Sequence, residues 1–243
     1  MKKKNIALLL SGGYGSRLYP LTYFIPKIFL YFKRKTLLEH HLDSLNNLNI
    51  SKVYINLLRK NNYYYFLKNF SKNNKIKFIF EKKAIGSSRT VAKIIKKENF
   101  NNLIILYSDT FFFNEQSDIL NKLLKISKNK FVSMVISKSE NTKYLLSKGV
   151  VKIKKKKLIS FHEKPKKIDS NYGYFFSGIV IIPKISKKQI LKILINKIDK
   201  YKIIDFAEKV FSPNKINVRI CISRRIPLDF GNWTNLFKNY FRF

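Results

Sequence analysis

Acidic residues are scarce in this chain, and their scarcity bears on the ligands that it attracts. The 243 residues include 14 Asp and Glu against 50 Lys and Arg, a formal net charge of +36. Such a charge attracts nucleic acid, an anionic membrane surface or a nucleoside triphosphate, and does not choose among them. Eight of the 50 are Arg, and the many Lys are dispersed among Asn, Ile, Phe and Tyr, as in proteins of AT-rich genomes. The charge is therefore explained either by composition or by a selected basic face.

Cysteine and long apolar segments are also nearly missing. Cys221 is the only cysteine, so an intrachain disulfide is excluded, and its apolar surroundings predict a buried thiol in a reducing compartment. The N-terminal MKKKNIALLL has the charge of an export signal, but its apolar part, residues 6–10, is too short. No apolar run has the length that a bilayer requires. We expect a cytoplasmic protein without a membrane span.

Short β-rich runs alternate with helical patterns in the first half, which is typical of crossover units around a parallel sheet. The predicted strands cover residues 6–10, 52–57, 76–80 and 103–107. Apolar residues recur at helical spacing over 37–48 and 91–95. This pattern predicts an α/β fold, with a mostly parallel central sheet and helices on both faces. The length and the 45% of hydrophobic residues favour a single domain over residues 1–243.

The second half has a different order. Strand-like runs at 131–136, 149–153, 158–162 and 174–182 predict a small antiparallel extension at about 138–182. Four adjacent lysines, 154–157, predict a hairpin tip, because their ammoniums repel one another and favour solvent. Helices are predicted at 187–196 and 203–211, followed by a strand at 216–222 and a terminal helix that begins near Trp233.

The strongest motif is a glycine-rich loop, SGGYGSRL at residues 11–18, which directly follows the first strand. Glycines there allow backbone N–H groups to approach an anion closely. The loop lacks the Gly-Lys-Ser/Thr ending of a Walker A motif and the third glycine of the dinucleotide fingerprint. A purely structural turn is the alternative, but Arg17 and Lys27 nearby favour a polyphosphate site.

The run SGGYGSRLYPLT followed by IPK resembles the opening of the sugar-1-phosphate nucleotidyltransferases. That resemblance implies a Rossmann-like fold and an enzyme that joins a nucleoside triphosphate to a sugar 1-phosphate and releases pyrophosphate. It implies that Arg17 and Lys27 are catalytic, and that nucleotide is bound by the first strand's end, the loop and a later segment: Leu10, Gly12, Gly13, Gly15, Ser16, Arg17, Glu81 and Gly86. Ile28 departs from the family, which usually has a second Pro there.

The chemistry of this reaction needs no general base, because the attacking phosphate is mostly ionised at neutral pH, with a second pKa of about 6. It needs two anions brought into line and the charge on the leaving pyrophosphate stabilised. Mg²⁺ is therefore the expected cofactor. Asp109 follows the apolar run 103–107, at the strand edge where ligands bind in open α/β sheets, although a turn or helix-cap Asp is the alternative. Asp109 and Asp229 match the metal-binding GD and DxG motifs of the family, with Ser108 in place of the glycine.

Three further stretches extend the resemblance. FHEKP at residues 161–165 and the Ser177-Gly178-Ile179 run imply that Glu163, Lys164 and Gly178 bind the sugar phosphate, and Gly149 begins the usual GVV run. Residues 84–89 occupy the place of the family's loop near the nucleobase, but Ser88 and Arg89 replace small residues there. The base pocket is therefore expected to differ.

Several interpretations remain open at this stage. The chain's length and motif placement most resemble heptose-1-phosphate or mannose-1-phosphate guanylyltransferases, with members that use UTP, dTTP or CTP as alternatives. A decayed, non-catalytic nucleotide-binding protein is another alternative. A nucleic-acid-binding protein is a third, supported by the charge and by the aromatic stretches at 62–66 and 110–113, but packing explains both stretches, and we expect no nucleic acid. A homo-oligomer is compatible with the resemblance.

Overall fold

The computed structural model describes residues 4–58, 67–68, 70, 73–168, 173–196, 203–212 and 215–241. The strands in chain order are β1 (Asn5–Leu10), β2 (Tyr31–Phe32), β3 (Lys35–Thr36), β4 (Ile50–Leu58), β5 (Ile76–Glu81), β6 (Asn102–Tyr107), β7 (Thr110–Phe111), β8 (Val132–Lys138), β9 (Gly149–Lys154), β10 (Lys157–Glu163), β11 (Tyr174–Pro183), β12 (Val218–Ser223) and β13 (Leu228–Asp229). The described helices are α1 (Leu21–Phe24), α2 (Leu37–Leu45), α3 (Ser87–Lys97), α4 (Gln116–Ser127), α5 (Thr142–Leu146), α6 (Lys187–Ile195), α7 (Phe206–Phe211) and α8 (Trp233–Phe241).

Nine of the strands form one sheet in the order β5-β4-β1-β6-β11-β8-β12-β10-β9. The first four are parallel: β1 pairs with β4 and β6, and β4 pairs with β5. The interior strands β1 and β6 are nearly continuous apolar runs because both faces of the sheet are covered there. The carboxyl ends of β1 and β6 thus lie side by side, and the two loops that carry the main sequence motifs leave from the same edge.

The second half of the chain completes this sheet. β11 is antiparallel to both β6 and β8, so it is an interior strand of the main sheet as well as a partner of the extension. β9 and β10 form an antiparallel hairpin, and β9 also pairs with β11. Lys155 and Lys156 adopt left-handed backbone angles at the hairpin tip, with φ of 48° and 57°. The predicted solvent-facing tip is confirmed.

Helices cover both faces of the sheet and bury its apolar side chains. On one face α3, α6 and α7 contribute to a core that includes Val91, Ile190 and Phe206. On the other face α2 and α4 contribute Leu38 and Leu120. Burial of this size is the main stabilising term of the fold. The predicted α/β class, with a mostly parallel sheet between helices, is confirmed.

The element boundaries differ from the prediction at one helix in particular. The predicted helix at 203–211 begins only at Phe206, because Asp205 is its N-cap and accepts hydrogen bonds from the N–H groups of Ala207 and Glu208. Cys221 is buried, as predicted. The aromatic stretch at 62–66 lies outside the described residues. In the described ranges, no helix is long and apolar enough to cross a membrane.

Candidate active site

A cleft of about 430 Å³ opens at the carboxyl edge of the parallel strands. Its walls come from the glycine-rich loop, from the ends of β4 to β6, from the end of β10 and from the segment that leads into α7. A hydrogen bond from Ser108 Oγ to the carbonyl of Leu10 (2.8 Å) ties the end of β6 to the end of β1. The lining includes many of the predicted binding residues: Leu10, Gly12, Gly13, Gly15, Lys27, Glu81, Gly86, Asp109, Glu163 and Lys164.

The glycine-rich loop is shaped by close approaches that a side chain would prevent. Gly15 has φ of 67°, and a Cβ there would lie 2.8 Å from the Thr22 side chain, whose hydroxyl donates to the Gly15 carbonyl. A Cβ on Gly12 would lie 2.1 Å from the Asn56 amide nitrogen. A Cβ on Gly13 would meet nothing within 4 Å. The loop therefore packs against Asn56 at Gly12 and against Thr22 at Gly15, whereas Gly13 has open space beside it.

The support behind this loop is a buried polar network that the sequence did not reveal. Asn56 Oδ1 accepts a hydrogen bond from the backbone N–H of Ser11 (2.9 Å). The amide group of Asn56 donates to Glu81 Oε1 (3.4 Å), which also accepts from the Thr90 hydroxyl (2.6 Å). Buried polar groups that are mutually satisfied hold one arrangement, because breaking any bond leaves an unpaired group. Glu81 lines the cleft and also anchors the loop.

Two carboxylates from distant parts of the chain meet at the next position along the cleft. β7 and β13 pair so that Asp229 lies opposite Thr110, and the N–H of Phe230 donates to the carbonyl of Asp109 (2.8 Å). A Cβ placed on Gly231 would be 2.7 Å from Asp229 Oδ1 and 3.7 Å from Asp109 Oδ2. Both acids therefore lie beside Gly231, whose N–H donates to Asp229 Oδ1 (2.6 Å) and whose lack of a side chain leaves room for the carboxylate of Asp229.

Three cations surround these carboxylates. Lys27 Nζ lies 3.1 Å from Asp109 Oδ2, and the ammonium of Lys148 pairs with Asp229 Oδ2. Nη2 of Arg17 would be 3.2 Å from a Cβ on Gly231. Burial would raise the pKa of Asp109, but Lys27, Lys148 and Arg17 outweigh it and hold the pKa below its ordinary value. Asp109 is therefore ionised at neutral pH, as a carboxylate that binds a metal ion has to be.

The other end of the cleft is lined by carboxylates and hydroxyls. Asp205 accepts hydrogen bonds from the hydroxyls of Tyr107 (2.8 Å) and Ser87 (2.8 Å). The pKa of Glu163 is raised, first by burial and then by the charge of Asp205. Glu163 lies beside Lys164, at 3.5 Å. This end offers hydrogen-bond acceptors to a polyhydroxylated ligand.

A family model described as Nucleotidyl transferase matches residues 6–240, nearly the whole chain. The chain belongs to the nucleotidyl transferase family. The resemblance inferred from the motifs is confirmed.

Relatives of different lengths share this family likeness. The bifunctional protein GlmU of Methanococcus maripaludis is 28% identical over 177 residues, which cover 71% of this chain and 39% of that protein. The D-glycero-alpha-D-manno-heptose 1-phosphate guanylyltransferase of Campylobacter jejuni is 27% identical over 231 residues, which cover 93% of this chain and 94% of that protein. A solved UDP-glucose pyrophosphorylase, complexed with UDP-glucose, has a TM-score of 0.79 at 16% identity and covers 99% of this chain and 98% of its own. At 16% identity, the likeness to this pyrophosphorylase shows the fold alone.

Divalent metal ions are generally used in the nucleotidyl transferase family, and the acids of this chain fit one. Mg²⁺ is usually bound by one or two carboxylates together with substrate phosphates. Asp109 and Asp229 supply two carboxylates aimed at one point beside a cleft. Among the described residues, no group of three or more His, Cys, Asp or Glu could hold a metal ion by itself. A metal at this position would depend on oxygen ligands from the substrates.

In this nucleotidyl transferase the loop of Asp109 is held by a neutral histidine. His41 is buried, and its Nε2–H donates to the carbonyl of Ser108 (3.2 Å) while Nδ1 accepts from the amide of Gln116 (2.8 Å). Burial lowers the pKa of His41 to about 4. These contacts make His41 a positioning residue for the loop that carries Asp109, in agreement with the expectation that the reaction needs no general base.

Some predicted binding residues do not line the cleft. Gly178, at φ of 79° in a bulge of β11, packs against Tyr107 and Thr110, with a Cβ position 3.2 Å from each of their Cβ atoms. Ser16 lies within the glycine-rich loop and is exposed. Ser88 is buried and donates to the carbonyl of Ile204 (2.9 Å). The binding roles of Gly178 and Ser16 stay predictions.

The sequence analysis missed three functional candidates: Asn56, Lys148 and Asp205. Asn56 lies inside a strand and belongs to no recognisable motif. Its polar side chain among apolar neighbours was the one feature that could have drawn attention to it. Lys148 directly precedes the GVV run and was one lysine among many. Asp205 was placed inside a helix, although Asp before an apolar run is a helix-cap signal.

Proposed function

We propose that the protein transfers a nucleotidyl group from a nucleoside triphosphate to a sugar 1-phosphate, with Mg²⁺, and releases pyrophosphate. The observation that carries this proposal is the meeting of Lys27, Asp109, Asp229 and Arg17 at one end of the glycine-rich loop. The same cleft continues to Glu163 and Lys164. A triphosphate and a second phosphate can therefore be held next to each other within one cleft.

The proposed reaction is an in-line displacement at the α-phosphorus. A phosphate oxygen of the sugar 1-phosphate forms the new bond to phosphorus, and the bond to the bridging oxygen of the β-phosphate breaks. The electron pair leaves with pyrophosphate. No proton has to be removed from the nucleophile, since it is already ionised at neutral pH, with a second pKa of about 6.

The chain's own residues supply orientation and charge. The open backbone at Gly13 offers N–H donors to the triphosphate, and Arg17 and Lys27 balance charge that moves towards the leaving pyrophosphate. Lys164 and Glu163 orient the sugar phosphate and the sugar hydroxyls. Mg²⁺ bound between Asp109 and Asp229 would polarise the α-phosphate and neutralise part of the triphosphate.

For the substrates themselves we propose GTP and either D-glycero-D-manno-heptose 1-phosphate or mannose 1-phosphate. The support is the guanylyltransferase of Campylobacter jejuni, which matches this chain over nearly the full length of both. UTP, dTTP and CTP are the alternatives. The product would serve the assembly of cell-envelope polysaccharide or lipopolysaccharide.

The test is pyrophosphate release by the purified protein with Mg²⁺, for five nucleotides against a panel of sugar 1-phosphates. The nucleotides are GTP, UTP, CTP, dTTP and ATP. We expect release that requires both substrates, with GTP as the best nucleotide. A folded protein that is silent across the whole panel would overturn the proposed function and favour a decayed nucleotide-binding protein.

Asp109→Asn separates metal-dependent catalysis from simple binding. We expect kcat to fall by about 100-fold or more, as when a main electrostatic stabiliser is removed. Mn²⁺ binding, followed by electron paramagnetic resonance, should weaken in parallel. Asp118→Asn, at an exposed position of α4, is the matched control and should keep the wild-type rate. An unchanged rate in Asp109→Asn would remove this carboxylate from the site.

A further inference from the structure

Lys148 lies where the two halves of the cleft join. It directly precedes β9, whose first residue, Gly149, pairs with Glu163 on β10. The N–H of Lys164 donates to the carbonyl of Lys148 (3.0 Å). The backbone of Lys148 is thus bonded to the pair that the family resemblance assigns to the sugar phosphate.

The side chain of Lys148 extends in the other direction, to the metal-binding acids. Its ammonium pairs with Asp229 Oδ2 and lies 5.1 Å from the centre of the Tyr144 ring. The side chain is 19% exposed. It therefore spans the distance between the sugar-phosphate motif and the carboxylates, and stays accessible enough to exchange partners.

We propose that Lys148 is a substrate-binding residue whose ammonium holds the phosphate of the sugar 1-phosphate. This inference rests on the proposed function. In the chain alone, the carboxylates of Asp109 and Asp229 each have a lysine ammonium as counterion. Asp109 and Asp229 would together hold a divalent cation, whose charge would compensate the carboxylate of Asp229. An ammonium that is mostly shielded from water then needs a new anion, since an unpaired buried charge is costly.

The arriving sugar phosphate supplies that anion. It has to approach between Lys164 and the two carboxylates, which is the interval that Lys148 bridges. Held there, the phosphate has a cation on each side, and its attacking oxygen is directed towards the triphosphate on the glycine-rich loop. Lys148 would thus reduce the repulsion between the two anionic substrates at the point where they react.

The competing explanation is that Lys148 only balances the charge of Asp229. The two roles differ in the substrate that they affect. If Lys148 binds the phosphate, its loss weakens the binding of the sugar 1-phosphate and leaves nucleotide binding unchanged. A structural counterion acts on stability or on metal binding, and therefore on both substrates or on neither.

The experiment compares Lys148→Met and Lys148→Gln with wild type, using the nucleotide and sugar 1-phosphate that give turnover in the panel. We expect kcat/KM for the sugar 1-phosphate to fall by about 10- to 100-fold, as for the loss of a hydrogen bond to a charged group. The KM for the nucleotide should stay unchanged. Lys148→Arg should recover part of the loss. Lys152→Met, at an exposed position of β9 four residues after Lys148, removes the same charge and should behave as wild type.

A binding measurement gives a second readout. By titration calorimetry, Lys148→Met should bind the nucleotide sugar product more weakly than wild type, and bind the free nucleoside triphosphate equally well. Urea denaturation establishes whether each variant is folded. If folded Lys148→Met and Lys148→Gln keep the wild-type kcat/KM for the sugar 1-phosphate, or lose affinity for both substrates equally, Lys148 is no phosphate ligand. A wild-type protein without turnover would instead overturn the proposed function, and this inference with it.

Discussion

At the scale of single residues, the site depends on side chains that hold the loops carrying the candidate catalytic residues. Asp109 and Lys27 are recognisable from their motifs. His41 and Asn56 are not, because each acts through one hydrogen bond to a backbone that lies 45 or more positions away in sequence. Such contacts leave no local pattern. The predicted site residues Lys27, Asp109 and Lys164 nevertheless line one cleft, and their roles in the reaction stay predictions.

His41 makes folding stability sensitive to pH. Burial lowers its pKa from the ordinary 6.5 to about 4, so the unfolded chain binds a proton more readily than the folded one between those values. The stabilisation is complete above the unfolded pKa and is lost as the pH falls through the folded pKa. Between about pH 7.5 and about pH 5 this linkage lowers the free energy of unfolding by about 2 kcal/mol.

His41→Gln should lose less stability than wild type over the same pH range, because the amide does not titrate. Urea denaturation at the two pH values measures the difference. His162→Gln, at an exposed position of β10, is the comparison variant and should follow the wild-type change. Equal losses in wild type and His41→Gln would mean that His41 is not responsible.

At the scale of elements, short pieces of structure bring distant motifs together. β7 and β13 have two residues each, yet their pairing places Asp229 next to Asp109. A two-residue strand is too short for any periodicity, so its pairing could not be predicted from the sequence. The long parallel strands were predicted well because continuous apolar runs reflect burial on both faces.

The bulge of β11 at Gly178 is a second such feature. Gly178→Ala should lower the free energy of unfolding by about 1–2 kcal/mol, because φ is positive there and the new Cβ would press on Tyr107 and Thr110. Gly173→Ala is the control, since its Cβ would meet only the Lys138 side chain, at 3.9 Å or more. Urea denaturation measures both variants.

The kinetics of Gly178→Ala distinguish a structural from a binding role. A folded variant of wild-type stability with a raised KM for the sugar 1-phosphate would contradict the structural role and support the binding role implied by the family. If the role of Gly178 is structural, the variant should be less stable, and a displaced Asp109 loop should lower kcat instead of raising KM.

At the scale of the whole molecule, the net charge of +36 remains the feature that sequence explains least. Lysines are found at solvent-facing positions, such as the hairpin tip at Lys155 and Lys156. At physiological salt, exposed charges act over about 8 Å, so a distant lysine contributes little at the cleft. The few positions near the carboxylates are therefore the ones expected to matter.

Arg17→Ala and Lys155→Ala test this distinction. Both remove one positive charge, but only Arg17 lies beside Asp229 and Asp109. We expect Arg17→Ala to lower kcat by about 100-fold, as for loss of a transition-state donor, and Lys155→Ala to leave kcat/KM unchanged. Steady-state pyrophosphate release measures both. Similar losses in the two variants would favour general basicity over a specific site.

The sequence by itself determined the fold class and the family, and its motifs indicated residues that line one cleft, because apolar periodicity and a long contiguous motif are local properties. The tertiary structure decided which acids share a site, where β11 enters the sheet, and which lysine lies between the two ends of the cleft. Those outcomes depend on pairings between segments far apart in the chain. Each pairing is stabilised by burial and hydrogen bonding that arise only when the two segments meet in the folded state. The sequence of either segment alone therefore does not reveal it.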